Sequence, residues 1–309
     1  MKYRIEKDSL GEMQVPEDAY YGAQTQRAVE NFKISNLKFS EQFIQSLAII
    51  KRNAAKVNFK LGLINKDVSD LIVSVTNEIS EGNYSDEFVI DIFQTGSGTS
   101  TNMNMNEVIA NIAAEKSGGQ RGDKSIIHPN DHVNLGQSSN DVIPTAMHLA
   151  LIQSIQSKLI PSLNMMADEL NSKSNEFKDV IKTGRTHLQD ATPITLGQEF
   201  HGYYGQITKG IEKLIDSNKW LSEVALGGTA VGTGINTHED FAKFVCEEIS
   251  SELGLEIKET DNHFQAQSTI DAVTATAGII KSISLSIMKI CNDIRWMGSG
   301  PRGGFGEII

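Results

Sequence analysis

Apolar residues along this chain recur mainly at intervals of three and four, the spacing that gathers them on one face of a helix. Phe43, Leu47, Ile50, Ala54, Val57 and Leu61 form one stripe, with Ser40 placed to cap it and Gly62 to stop it. Val68, Leu71, Ile72, Val75 and Ile79 form a second stripe that Gly82 ends, and Met105, Val108, Ile109 and Ile112 a third, closed by Gly118 and Gly119. A longer pattern covers residues 139–173 through Ile143, Met147, Leu151, Ile155, Leu159, Leu163, Met166 and Leu170. Pro144 is expected in its first turn, where a missing N–H costs little, and Pro161 is expected to kink it. Beyond Pro193, a further long helix is marked by Ile207, Ile211, Leu214, Leu221 and Val224. Thr237 is expected to cap a shorter helix that carries Phe241, Phe244, Val245, Ile249 and Leu253 and stops at Gly254. Ile280, Ile283, Ile287, Ile290 and Ile294 then repeat as a seam of coiled-coil type. Strand signals are few, Tyr3 to Glu6 being the best of them.

These periods predict a mainly α protein whose long helices form a bundle able to pack against other copies. Short helices give way to long ones near Gln137, which divides the chain into an N-terminal domain of residues 1–137 and a helical-bundle domain of residues 138–309. The pattern shows no internal repeat.

Composition narrows the function classes. The net charge is −11, from 28 basic and 39 acidic residues, so the surface repels nucleic acid and anionic lipid. The first twenty residues lack an apolar segment of signal-peptide type, and no apolar run approaches membrane-spanning length. The expectation is a cytoplasmic protein with neither a nucleic-acid nor a membrane partner. Cys246 and Cys291 lie within helical patterns and read as free thiols.

Three stretches stand out against this background because donors crowd into them. They are residues 95–102, which include Ser97, Gly98 and Thr99; His128, Pro129, Asn130 and Asp131 running on to Ser138, Ser139, Asn140 and Asp141; and residues 184–190, which include Thr186 and His187. Each is expected at the start of a helix, where free N–H groups and small donors suit a negatively charged small molecule. Helix capping accounts for some of these residues equally well, and Ser139-Asn140-Asp141 forms an N-cap cluster in either case. His187 lies in a polar loop rather than on an apolar stripe. Histidine there suits acid–base work, or simple loop capping. His148 and His201 fall inside helical patterns and read as packed or solvated. The i, i+4 spacing of His128 and His132 is compatible with metal ligands, but Pro129 and Asn130 oppose a regular helix and no third ligand is near. That favours anion contact or loop structure. The glycine-rich run 227–234 follows a helix rather than a strand and lacks the Gly-Lys-Ser/Thr ending, so a close backbone crossing beside the bundle is expected instead of a phosphate loop.

Together these motifs resemble the fumarase/aspartase superfamily, most closely its class II fumarate hydratases. The resemblance runs through residues 22–27, 96–106, 128–131, 137–141, 184–197 and 227–236, then through Asp293-Ile294-Arg295-Trp296 and Ser299-Gly300-Pro301-Arg302. It implies a helical homotetramer with active sites shared between subunits, and reversible hydration of fumarate to (S)-malate without metal or organic cofactor. It further implies that Ser97, Gly98, Thr99, Ser138, Ser139, Asn140 and Thr186 bind the dicarboxylate and that His187 is the acid–base group. His128, Pro129, Asn130 and Asp131 would form a second dicarboxylate site. Members of the family carry basic residues just before that last motif; here Ser125, Ile126 and Ile127 stand there, with Lys124 one step earlier. Members also continue into a Gly-Ser-Ser loop that supplies the carbon-side base, and this chain is expected to be C-terminally truncated before it. Two other readings follow. One is an aspartate ammonia-lyase of the same superfamily, whose members typically carry glutamine at the position of His187. The other is a non-catalytic subunit that associates with complete protomers.

Overall fold

The computed structural model describes residues 2–309. It opens on an antiparallel hairpin of β1 (Tyr3–Asp8) and β2 (Gly11–Pro16), followed by α1 (Ala23–Asn31), α2 (Glu41–Lys60), α3 (Lys66–Ser80) and α4 (Thr99–Lys116). A π-helical turn, Pro129–Val133, precedes α5 (Ser139–Ser154); a second, Ile155–Leu159, separates α5 from α6 (Ile160–Glu176). An antiparallel hairpin of β3 (Ile181–Thr186) and β4 (Gln189–Thr195) leads into α7 (Leu196–Leu221). The short strands β5 (Glu223–Val224) and β6 (Lys258–Glu259) pair in parallel around α8 (Phe241–Leu253), and α9 (His263–Ser268) and α10 (Asp271–Met297) complete the order.

Several helix limits follow from local chemistry. The Ser40 hydroxyl accepts the Phe43 N–H at the start of α2, and Gly254 ends α8 in the left-handed conformation. The kink expected at Pro161 takes the form of the π turn before it. Proline has no N–H to give, so the hydrogen-bond ladder re-registers upstream, and Ile160 N–H donates to the Ile155 carbonyl five residues back. Two expectations are corrected. Pro144 lies beyond the first turn of α5, where it leaves the Asn140 carbonyl without its usual helical donor. Thr237 does not cap α8, which begins after Asp240; the His238 ring instead accepts the Asp240 N–H at 3.1 Å.

The chain divides into two compact units, Met1–Leu151 with Leu221–Ile270, and Ile152–Trp220 with Asp271–Ile309. Gln137 lies inside the first unit, because α8 returns to pack on α2. Such a return is invisible to a local pattern.

In the first unit, α2 packs against α3 and α8. Arg52 of α2 pairs with Glu252 of α8 and donates to Asn77 and Ser80 of α3, each at 3.0 Å. Helix α4 is buried on every side from Thr101 to Ala114, so its polar residues need internal partners. Asn104 donates to the Glu87 carbonyl and Asn111 to the Tyr20 carbonyl. The Glu107 carboxylate accepts from the N–H groups of Gly22, Gln24 and Thr25 and from the Thr25 hydroxyl, at 2.7–3.0 Å. It thereby closes the N-terminus of α1, which explains why the 22–27 motif is built of small and polar residues.

In the second unit, Thr276, Ile283, Ile290 and Met297 bury one line of α10 at heptad spacing. Ile283 packs where Gly210 of α7 leaves no room for a side chain, and Phe177, Phe200 and Tyr203 stack edge to face nearby. By length and composition α10 is apolar enough to cross a membrane. Its Ile, Val and Ala raise the average without a continuous apolar run, and Ser, Lys281, Lys289 and Asp293 interrupt the pattern.

Glu107→Ala would leave three buried donors and one half-buried donor without an acceptor. The expected loss is about 3 kcal/mol or more in chemical denaturation, with Glu107→Gln losing less because one carbonyl oxygen remains.

Candidate active site

Two of the three donor stretches meet in the first unit. Gly98, the residue before α4, has φ 66°, and a side chain there would come within 3.0 Å of Ile143 of α5. Glycine therefore lets the N-termini of α4 and α5 close on one another. A cavity of about 270 Å³ opens beside this contact, lined by Ser97, Asn140, Pro144, Met147, Gln267 and Thr269 among others.

The hydroxyls around it are divided between structure and solvent. Ser97 and Thr99 bond each other at 2.8 Å, and neither caps α4. Ser138 does cap α5: its hydroxyl accepts the Asn140 N–H at 3.3 Å while Asp141 accepts the Ser138 N–H at 2.9 Å, a reciprocal capping box. The Ser139 oxygen accepts from the Asn102 amide at 3.0 Å, so its own proton is free to donate. Asn140 spends one amide proton on the Ala230 carbonyl at 2.6 Å, and its backbone carbonyl is the acceptor released by Pro144.

Beneath these donors lies a buried network that the sequence did not reveal. Lys51 is fully buried, and its ammonium donates to Asn134 Oδ1 at 2.8 Å and Gln137 Oε1 at 3.0 Å. Asp141 is fully buried as well, and its second oxygen accepts the N–H groups of Gly227 and Thr229 at 3.2 and 2.8 Å. Burial pushes Lys51 down to about 7, opposed by Asp141. Burial pushes Asp141 up to about 6, opposed by its three N–H donors and by Lys51. The glycine run 227–234 is thus held by a carboxylate. Side chains at Gly227 and Gly228 would strike Ala242 of α8 and Gln267 of α9, so the expected close crossing occurs against those helices.

The third stretch belongs to the second unit and is not a helix start. His187 and Leu188 form the two-residue turn between β3 and β4, at φ 50° and 61°. Such turns favour Asn-Gly, and the left-handed conformation costs a residue with a Cβ about 1–2 kcal/mol. With neither Asn nor Gly at the tip, the hairpin carries no turn signal in the sequence. Helix α7 starts only at Leu196, where Thr195 and Gln198 make a reciprocal cap at 3.0 and 3.1 Å. Thr186 and His187 are exposed. His187 borders a cavity of about 480 Å³ together with Lys182, Arg185, Asp293, Trp296 and Phe305.

Ion pairs hold that hairpin in place. Glu307 pairs with Arg185 at 2.6 Å and Lys182 at 2.7 Å, Lys182 also pairs with Glu199, and the Arg185 guanidinium lies 4.3 Å from the centre of the Phe305 ring. Tyr203 bridges Glu199 and Asp293 at 3.2 and 3.0 Å. Burial, and then the two carboxylates, push its phenol up.

His128 through Asp131 enter the first π turn. The Nδ1 atom of His128 accepts the N–H groups of Asn130 and Asp131 at 3.2 and 3.1 Å, and Nδ1 of His132 accepts the His128 N–H at 3.0 Å. Each ring therefore keeps only Nε2 for a ligand. Burial and the neighbouring His128 push His132 down. Among the described residues, no group of three or more His, Cys, Asp or Glu gathers as a metal site. The residues before this turn supply no cation: Ile127 is buried, and Lys124 donates to the Lys7 carbonyl at 2.7 Å. Cys246 is buried and Cys291 exposed, both as free thiols.

Residues 11–309 match the family model described as lyase. The chain is 54% identical over 306 residues to a class II fumarate hydratase of Halobacterium salinarum, covering 99% of this chain and 65% of that protein. It is 50% identical over 308 residues to the class II fumarate hydratase of Nitrosomonas europaea, covering 100% and 67%. The crystal structure of class II fumarase from Schistosoma mansoni superposes with a TM-score of 0.96 at 40% identity, covering 98% of this chain and 67% of that one. The chain thus spans about two thirds of the length of the curated relatives it matches.

The hairpin anchor has a pH signature. Burial raises the Glu307 carboxyl, but Arg185 and Lys182 outweigh burial and hold it below the usual range. Its stabilisation is therefore complete above the unfolded value and lost as pH falls through the lower folded one. Glu307→Gln is expected to cost about 1–3 kcal/mol near pH 6. In thermal or urea unfolding the gap from wild type should close in strong acid.

Proposed function

This chain belongs to the lyase family of the class II fumarate hydratases, and from that premise we propose that it builds a site for the reversible hydration of fumarate to (S)-malate. The observation that carries the reading is the convergence of the α4 and α5 N-termini on a small cavity edged by unspent donors. Two helix N-termini favour a carboxylate, and Ser97 and Asn140 line the cavity; with Gly98, Thr99, Ser138 and Ser139 from the same two helix starts they are the proposed substrate-binding residues. Thr186, in the β3–β4 hairpin, is proposed as a further substrate-binding residue.

His187 is the acid–base residue in this reading. Its ring takes a proton from water as the water oxygen bonds to one alkene carbon. The electron pair displaced from the alkene then resides on the neighbouring carbon and its carboxylate as an aci-carboxylate, until that carbon receives a proton. In the reverse direction His187 returns its proton to the departing hydroxide. The intermediate carries more charge on one carboxylate than fumarate does, so fixed donors stabilise it more than the substrate, each by about 3–4 kcal/mol at best. We assign no residue of this chain to the carbon-side base. Histidine rather than glutamine at 187 favours hydration over ammonia elimination.

We propose a cytoplasmic location, assign no nucleic-acid or membrane partner on the acidic charge, and propose no metal and no organic cofactor. The exposed Met165, Ile215, Trp220, Leu285 and Met288 on the bundle helices favour a homotetramer. His128, Pro129, Asn130 and Asp131 are proposed as a second dicarboxylate site, weakened because Lys124 is engaged with β1.

In the protein expressed from its full reading frame, His187→Gln is expected to lower fumarate turnover by about 10²–10⁴-fold with unchanged sedimentation. Unchanged turnover would remove His187 from the chemistry. Sedimentation of the same protein should give a tetramer, and a monomer would contradict the reading of the bundle faces.

A further inference from the structure

We propose that Lys51 is a positioning residue of the dicarboxylate site, setting the turn at residues 134–138 and through it the start of α5, where Asn140 lines the cavity next to Ser138 and Ser139. The proposal rests on the preceding reading for its substrate, though not for its geometry. Lys51 sits in the middle of α2 with no exposed surface, and its two hydrogen-bond acceptors are neutral amides rather than carboxylates. Asn134 Oδ1 accepts three donors at once: the Lys51 ammonium at 2.8 Å, the Asn102 amide at 3.2 Å and the Asn106 amide at 3.3 Å. The Asn134 amide in turn donates to the Gln137 carbonyl at 3.2 Å, which closes the turn on itself. The Asn102 amide bonded to Asn134 also bonds the Ser139 oxygen at 3.0 Å. Three hydrogen bonds therefore lead from the lysine to a hydroxyl at the site.

The opposite side of the same turn is held by Asp141, which accepts the N–H of Ser138 and those of Gly227 and Thr229. A buried cation and a buried anion thus bracket the segment that presents the donors. A core position that served packing alone would be better filled by an apolar residue, since burying an ammonium is costly and replacing buried charges by well-packed apolar groups is often neutral or stabilising. Packing alone gives no reason for a lysine here. Orientation of Asn134 and Gln137 does, because three rotatable donors on one atom can hold two amide oxygens together.

The test compares Lys51→Met, which keeps the stem and removes every donor, with Lys51→Gln, which keeps a shorter donor, in the protein from its full reading frame. Lys51→Met leaves Asp141 without its buried counter-charge and is expected to melt below wild type; assayed well below its melting transition, it should raise the KM for fumarate at least tenfold and change kcat less than threefold. Lys51→Gln should recover at least a third of the lost apparent affinity. A KM within twofold of wild type in Lys51→Met overturns the proposal. So does a loss of kcat that tracks a lowered melting point in both variants, which would mark a structural role. Amide hydrogen exchange at residues 134–141 reads the turn without substrate: faster exchange in Lys51→Met supports the proposal and unchanged exchange overturns it. If the wild-type protein hydrates no fumarate, the proposed function fails while the exchange result still decides the positioning role.

Discussion

Lys51 brings a charge into the core of the first unit, where water cannot solvate it, and the segments around it take over the work of water. Asn134 and Gln137 turn their amide oxygens toward the ammonium. Asp141 supplies the opposite charge and spends its remaining lone pairs on backbone N–H groups. Because such a network is costly when half satisfied, each member constrains the next. The positions of α2, α4, the 128–138 segment and the 227–234 crossing follow from satisfying it, and the donors at the mouth of the cavity are its outer edge. The polar residues of α4 follow the same logic in part: on a helix buried on all sides, the amide N–H groups of Asn102 and Asn106 and the Glu107 carboxylate find partners.

The second unit solves a different problem. His187 must stand at a tight turn, and a tight turn between right-twisted strands asks for left-handed backbone that neither histidine nor leucine prefers. The strain persists because the strand leading into the turn is tied down by Lys182 and Arg185, whose charges are taken up by Glu199 and Glu307. Strain held by surrounding structure is typical of residues with a task, and here it coincides with the residue to which the acid–base role is proposed.

Much of the helical frame was legible in the sequence. The stripes from Phe43 to Leu61 and from Val68 to Ile79 became α2 and α3 with their expected stops, and the isoleucine seam became α10. Other features were not. The β3–β4 hairpin lacks the Asn-Gly tip and clean alternation by which a hairpin is recognised, so its stretch looked like a helix start. Pro144 seemed to belong to a first turn because the start of α5 depends on the Ser138–Asp141 cap. Nothing in the neighbours of Lys51 along the chain announces that Asn134 and Gln137 will enclose it.

What the sequence by itself determined is whatever depends on neighbours a few residues apart: helix periods, the Ser40 cap and the glycine stops, the acidic surface, and motifs specific enough to show a family resemblance. Tertiary structure decided the rest. It alone shows which donors are spent on capping and which remain free, that Gly98 lets two helix starts close on one cavity, and that a lysine and an aspartate ninety positions apart share one buried network. Those facts depend on contacts between segments distant along the chain, and burial rather than residue type sets the cost of leaving such groups unpaired.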